Sequence, residues 1–470
     1  TAGNAPEAGL TSSNYAVETL SPTSVVTSIS DTSLIEGDTA SIVITLSEAN
    51  SGFTNADVTC ASGTLAALSV AGDGVTYTGV FTPTADTTDP SNTCVVGTGW
   101  TDTAGNAGVG STSANYVIDN VDPEVSTIAM TSSALKVGET TTLTIVFSEA
   151  VAAFASNDDV TCQNGVLGVM TTGNQITWTG TFTPTDNIDD NTNICTVATS
   201  YTDTLGNGVG ESQATANYDI DSIEPTVTSV AIGDASIISG ETPTVTIVLS
   251  EANSGFTNAD VTCANGALGA LSVAGDGVTY TGTFTPTADT TDASNTCVVG
   301  TVWTDTAGNA PEAGLTSSNY EIDTLAATVS SFGISDTSLS EGDTAALTIV
   351  LSETNSGFTN ADVTCANGVV AALSTGDGLT YTGTLTPSSE TEDSSNTCVV
   401  GTGWTDTAGN AGTAFTSSNY AIDGVDPTVT SVVLADTTIV KSQTVVITIV
   451  LSETNSGFTN ADVTCDNGNV

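Results

Sequence analysis

The chain has no histidine and no arginine, and Lys136 and Lys441 are its only basic residues among 470. Against them stand 53 carboxylates, for a formal charge of -51. Binding phosphates takes lysine or arginine to displace counterions, so nucleic acid, nucleotides and anionic membrane surfaces are very poor partners for this chain, and no nucleic acid is expected. The same absence removes the usual nucleophile and base pairs, leaving only paired carboxylates of the glycosidase kind. Near-copies of an active site in series would be unusual, so the chain reads as a non-enzyme. Aromatic residues are 5%, yet apolar residues are spread evenly, which argues against disorder. No apolar run approaches the ~20 residues of a spanning helix, so no membrane insertion is expected in this stretch.

What is abundant is repetition. The segment LSEANSGFTNADVTC ends at Cys60 and again, letter for letter, at Cys263, with close variants ending at Cys162, Cys365 and Cys465. The period is about 101 residues, the size of an independent domain, so the unit to explain is one module, copied. Complete modules are read at 22–121, 122–223, 224–325 and 326–425, between truncated ones at 1–21 and 426–470. The opening TAGN matches the middle of the later TDTAGN segments. The chain is therefore expected to be a window on a longer polymer, with further modules as its immediate partners.

Within a module, Ile42, Ile44 and Leu46 alternate with Val43 and Thr45, and Val75, Tyr77, Gly79 and Phe81 alternate with threonines. Period two means half-buried strands, and nothing shows a helical period. Asn164-Gly165, Asn265-Gly266 and Asn367-Gly368 read as tight hairpin turns. Strands are expected near 23–30, 40–47, 53–60, 64–70, 75–82, 93–101 and 112–119. That pattern predicts an all-β tandem array of immunoglobulin-like β-sandwich modules, another sandwich topology being the alternative. The junctions YAVETLSP, YVIDNVDP, YDIDSIEP, YEIDTLAA and YAIDGVDP carry no Gly/Ser spacer, so neighbouring modules should touch and bend little.

Each complete module holds two cysteines: Cys60 and Cys94, Cys162 and Cys195, Cys263 and Cys297, Cys365 and Cys398. On the immunoglobulin strand order they fall on neighbouring strands, so a disulfide within each module is geometrically reasonable and implies an oxidising home. Bridges between chains of a fibre, or buried free thiols, are the alternatives. Zinc is disfavoured because the cysteines are far apart in sequence and histidine is absent.

Acids recur at fixed places. They stand at the Ser-Glu pair (Glu48, Glu149, Glu251, Glu353, Glu453), three residues before the first cysteine (Asp57, Asp159, Asp260, Asp362, Asp462) and five before the second (Asp89, Asp190, Asp292, Asp393). Further sets are TDTAGN (Asp102 and Asn106, Asp203 and Asn207, Asp305 and Asn309, Asp406 and Asn410) and the linker acid (Glu18, Asp119, Asp221, Asp323, Asp423). The Ser-Glu pair and TDTAGN should both reach the end of the module where the preceding linker arrives. Carboxylates converging there repel, and a hard cation such as Ca2+, with six to eight oxygen ligands, is the natural compensation. The expected donors before the second complete module are Asp119, Asp122, Glu149, Asp203 and Asn207. Later junctions draw on Asp221, Glu224, Glu251, Asp305 and Asn309, then on Asp323, Glu353, Asp406 and Asn410. Ala326 stands where Asp122, Glu224 and Asp426 stand, so the junction after Asp323 should bind more weakly. The competing reading is that the aspartate of Asp-x-x-Gly-Asn simply caps a turn, and that the acidity keeps a repetitive surface soluble.

The order of pieces SGFTNADVTCANG, TYTGTFTPTAD, TDTAGN and Asn-Tyr-x-Ile-Asp resembles the bacterial immunoglobulin-like (Big) tandem repeats of large surface adhesins and extracellular fibres. The resemblance implies an exported, cell-surface stalk or filament with calcium-stiffened junctions. The two cysteines per module are not general in such repeats. A homo-oligomeric filament or bundle, and a cell-surface or glycan target gripped by a distal domain, are the further partners this reading expects. The alternative is that the repeats themselves bind glycans or cells by avidity. Trp100, Trp303 and Trp404 are candidates to stack on sugars there, against the commoner reading of tryptophan as core.

Overall fold

The computed structural model describes residue 9, residues 11–152 and residues 154–468, so the opening TAGN segment lies outside the described residues. Contacts divide the chain into two compact units, Thr1–Glu224 with Ala307–Asn309, and Pro225–Thr306 with Ala310–Val470.

In the first unit, strands Ser24–Ile29, Ala40–Leu46, Thr76–Pro83 and Gly63–Leu65 lie side by side in that order. A second sheet holds Ser111–Thr112, Cys94–Val96 and Val58–Cys60. Ile42, Ile44 and Phe81 from one sheet and Val58, Cys94 and Val96 from the other share a single buried cluster, which makes the sandwich. Tyr116–Asp119 pairs in parallel with Ser33–Leu34 and antiparallel with Thr88–Asn92. The next module repeats this plan around Leu143, Ile145, Phe147 and Phe182. In the second unit the same strand order recurs around Ile247 and Phe284, and around Ile349 and Leu385. The expected array of immunoglobulin-like sandwiches is what the chain forms, and the alternation that predicted it places Ile42, Ile44 and Leu46 inward.

The strands are shorter than the apolar runs suggest. The run near 93–101 contains strands Cys94–Val96 and Thr101–Asp102, with Thr88–Asn92 forming just before it. Asn92, the last residue of Thr88–Asn92, turns its Nδ2 onto the carbonyl oxygens of Asp89 and Tyr116 just before the chain enters the other sheet at Cys94. The Asn-Gly pairs fold no hairpin. Val160–Cys162 pairs in one sheet and Gly165–Leu167 in the other, so this turn carries the chain between sheets. Asn164 takes φ 51°, and a Cβ on Gly165 would lie 2.2 Å from the Phe182 ring. Left-handed backbone and a missing side chain are both needed there.

Short helical turns do appear. Asn55–Asp57, Asn258–Asp260, Asn360–Asp362 and Asn460–Asp462 are 3-10 turns closed by capping boxes. Their aspartates, one of the recurring sets, spend a carboxylate oxygen on a backbone N–H, as Asp57 does for Thr54 at 3.0 Å. Disulfides join Cys60–Cys94, Cys162–Cys195, Cys263–Cys297 and Cys365–Cys398, each across directly opposed strand residues. With a sequence separation of 34 in the first module, loop closure contributes roughly 3–4 kcal/mol. Nearby, the buried Tyr116 hydroxyl donates to the carbonyl of Ala61 at 2.6 Å, tying the last strand to the crossover turn. Burial pushes the Tyr116 phenol up to about 12.

The modules are not identical, and one difference leaves a visible defect. In three modules the turn asparagine donates to a buried asparagine oxygen: Asn164 to Asn193, Asn265 to Asn295, Asn367 to Asn396. Ser62 occupies that place in the first module, at φ 57°, and its hydroxyl reaches only Asp89, matching the bond the asparagines also make to Asp190, Asp292 and Asp393. Asn92 Oδ1 is left buried without a hydrogen bond. An unpaired buried acceptor costs about 1–3 kcal/mol, and asparagine tolerates left-handed backbone better than serine. Ser62→Asn is therefore expected to stabilise the first module by about 1–2 kcal/mol. Hydrogen exchange in peptides spanning 88–96 should slow; unchanged protection would refute this account.

Candidate metal centre

The junction is built by a short linker that is fastened at both ends. The last strand of one module ends at Asp119 and the first strand of the next begins at Val125. Between them the backbone N–H of Glu124 donates to Ser148 Oγ at 2.9 Å, and the Ser148 N–H donates to the Glu124 carbonyl at 2.8 Å. That mutual bond sets Glu149, the next residue, against the linker. Asp203 arrives from across a two-residue strand pair, where it opposes Val151. One carboxylate oxygen from each of Asp119, Glu149 and Asp203 then lies within 4.8 Å of the others. The second unit repeats the construction: Thr328 N–H donates to Ser352 Oγ, Asp406 opposes Asn355, and Asp323, Glu353 and Asp406 converge to the same limit.

The electrostatics are unfavourable for three bare carboxylates. Burial, then Asp119, Asp203 and Asp122, raise the pKa of Glu149. Burial, then Asp406 and Asp323, raise that of Glu353. Part of each cluster is already held by the protein. Thr88 Oγ1 donates to Asp119 Oδ1 at 2.9 Å, and the N–H groups of Leu205, Gly206 and Asn207 converge on Asp203 Oδ1. Other oxygens have nothing: Asp122 Oδ1 and Glu353 Oε1 are buried without a hydrogen-bond partner. A donor set made of oxygen, negatively charged and with orphaned buried atoms, fits a hard divalent cation.

The remaining expected donors are placed as follows. Asp122 sits in the linker beside Glu149 and adds to its field. Asn207, Asn309 and Asn410 turn their Oδ1 toward backbone N–H groups of Glu36, Val137 and Ser239, so these oxygens are engaged by protein. The carbonyl of Asp221 accepts from Asn309 Nδ2 at 2.9 Å. Glu251 follows Ser250, whose Oγ accepts the Thr226 N–H. Asp305 is buried opposite Asn253, and Glu224 is half-buried in its linker. The aspartates before the second cysteine stand apart: the Thr192 N–H and hydroxyl, then Asn164, hold Asp190 below the usual carboxylate range. Missing from the sequence reading were the serine clamp on the linker and the engaged asparagine oxygens. The serine's invariance before glutamate in every copy was the available signal. Trp100, Trp303 and Trp404 are 1%, 3% and 1% exposed and pack in the cores, so they offer no face to a sugar.

The family described as bacterial Ig-like domain matches residues 18–118, 119–220, 221–322 and 323–422. The chain belongs to this family. Each bacterial Ig-like match opens on a linker acid, Glu18, Asp119, Asp221 or Asp323, so Asp119, Glu149 and Asp203 fall within one match and Asp323, Glu353 and Asp406 within another. No curated protein matches the chain. Among solved structures it is similar to the I67–I69 I-band fragment of titin, with 10% identity, TM-score 0.33, and 65% of this chain and 99% of that one covered. The eight N-terminal Ig domains of Down syndrome cell adhesion molecule give 10%, 0.28, 85% and 49%. The S-layer protein SbsC gives 16%, 0.16, 92% and 63%. Superpositions this loose carry nothing about partners or location.

Because folding raises the Glu149 and Glu353 pKa values above their ordinary 4.5, stability from these groups is present at low pH and lost as pH rises through the raised values. In chelator, the double variant Glu149→Gln, Glu353→Gln should melt higher than wild type at pH 7 and lose less stability as pH rises above the ordinary 4.5. With a divalent cation present the order should reverse. A variant that melts lower than wild type in chelator would contradict the repulsion described.

Proposed function

We propose that this stretch is the structural repeat region of an extracellular fibre, surface appendage or adhesin stalk, in which Ca2+ stiffens the junctions between disulfide-stapled modules. The observation that carries the reading is the acidic trio at the linker, with Asp122 Oδ1 and Glu353 Oε1 buried and unpaired. A cation there would bridge the end of one module, the linker and two turns of the next, which restrains bending where a chain of modules is otherwise weakest. Calcium suits the site better than magnesium, which demands stricter octahedral geometry and keeps more water. Four disulfides support an oxidising, extracellular setting. Among the described residues no helix is long and apolar enough to cross a membrane.

The two clusters described differ in charge. Asp122 adds a fourth carboxylate near Glu149, whereas Ala326 occupies the matching place near Glu353. Ligand charge tunes calcium affinity in oxygen sites. Calorimetric titration should therefore show graded affinities, and Ala326→Asp should tighten the weak class by roughly tenfold. Calcium should raise the melting temperature and reduce inter-module bending, and chelator should undo both. Identical melting in calcium and in chelator would sink the metal reading.

A further inference from the structure

The junction asparagines make more bonds than a turn needs. In the first unit Asn207, 2% exposed, ties three separate stretches of chain. Its Nδ2 donates to Asp203 Oδ2 in its own turn at 2.6 Å and to the Asp119 carbonyl in the linker at 2.7 Å. Its Oδ1 accepts the N–H of Glu36, in the preceding module, at 2.9 Å. In the second unit Asn410 does the same with Asp406 Oδ2 at 2.8 Å, the Asp323 carbonyl at 2.8 Å and the Ser239 N–H at 2.7 Å. Beside each bond the preceding module seats an isoleucine over the glycine next to the asparagine. A Cβ on Gly206 would lie 3.8 Å from Ile35 Cδ1, and one on Gly409 3.6 Å from Ile238 Cδ1. Both glycines hold a positive φ, 118° and 116°.

We propose that Asn207 and Asn410 are inter-module latches, positioning residues that fasten the preceding module's turn to the linker and preorganise the acidic trio before any cation binds. An amide is suited to this work because it donates to a carbonyl and a carboxylate while accepting from an N–H. Aspartate in its place would face Asp203 with a like charge, and alanine would leave the Glu36 N–H and the Asp119 carbonyl without partners. Asp119 is held at both ends, its backbone by Asn207 and its carboxylate by Thr88. Module angle and ligand geometry are thereby set by one residue. Asn309 makes the matching bonds to the Val137 N–H and the Asp221 carbonyl, with Lys136 Nζ donating to the Gly308 carbonyl where the isoleucine would be. Only the effect on cation affinity rests on the calcium reading; the latch itself does not.

The test uses the full chain with a donor and acceptor dye on noncanonical residues at Val80 and Thr181, so that the disulfides are undisturbed. Wild type should give a distance distribution that calcium narrows and that, in chelator, is still narrower than that of a chain without the latch. Asn207→Ala should broaden it in chelator, narrow again in part at saturating calcium, and weaken calcium binding at that junction about 10- to 100-fold, the usual range for groups that orient ligands. Asn207→Asp should broaden it equally in chelator. Hydrogen exchange in strands Ala40–Leu46 and Thr141–Phe147 should not change, which separates a latch from a general loss of fold. A chelator distribution for Asn207→Ala no broader than that of wild type overturns the latch. Should wild type bind no calcium, the metal reading fails and the chelator distances still decide the latch.

Discussion

Three carboxylates repel one another, and the junction exists because hydrogen bonds force them together in a chain with two lysines. The Ser148 clamp on Glu124 brings Glu149 to the linker, the pairing of Val151 with Asp203 brings the second acid, and Asn207 holds the backbone of the third. Each of these bonds is worth only about a kcal/mol net. Together they outweigh a repulsion that is large at short range when no counter-charge is near. Burial, and then this repulsion, raise the pKa of Glu149, and some oxygens find no donor. A cation held among these oxygens would remove that repulsion.

The modules themselves are ordinary sandwiches made robust by cross-strand disulfides and a buried tyrosine tie, and their differences show how copies drift while keeping a core. Asn50 donates to the Tyr77 hydroxyl, as Asn253 does to Tyr280. In the second module Val151 and Trp178 replace both partners, and the pocket becomes apolar on both sides. Exchanging both members of a polar pair is tolerable where exchanging one would strand the other. Tyr201 shows the uncompensated case: it replaces the tryptophan whose ring N–H reaches Gly97 in the first module, and its hydroxyl is buried without a partner. Drift of this kind touches single core positions, while the cysteine pairs, the tyrosine at Tyr116, Ser-Glu and Asp-x-x-Gly-Asn stay constant in the complete modules.

Much of this was legible in the chain. Period-two alternation places Ile42, Ile44 and Phe81 inside because side chains alternate across a strand, whatever the tertiary context. The repeat makes domain length readable by subtraction, and two cysteines at a fixed offset leave one natural pairing within each copy. Strand ends were less readable, because the run near 93–101 hides the point where the chain passes from the sheet of Thr88–Asn92 to that of Cys94–Val96, which depends on distant partners.

The recurring acids look alike in sequence and are not alike in the fold. Asp57 closes a capping box, Asp190 organises a crossover turn, and Asp119, Glu149 and Asp203 meet at a junction. Repetition alone could say that each position matters, since local spacing is the same in every copy. Which acids face one another depends on contacts between residues as far apart as Asp119 and Asn207, and on a neighbouring module's Glu36. Such contacts are made by folding and by the meeting of modules, and no local pattern encodes them.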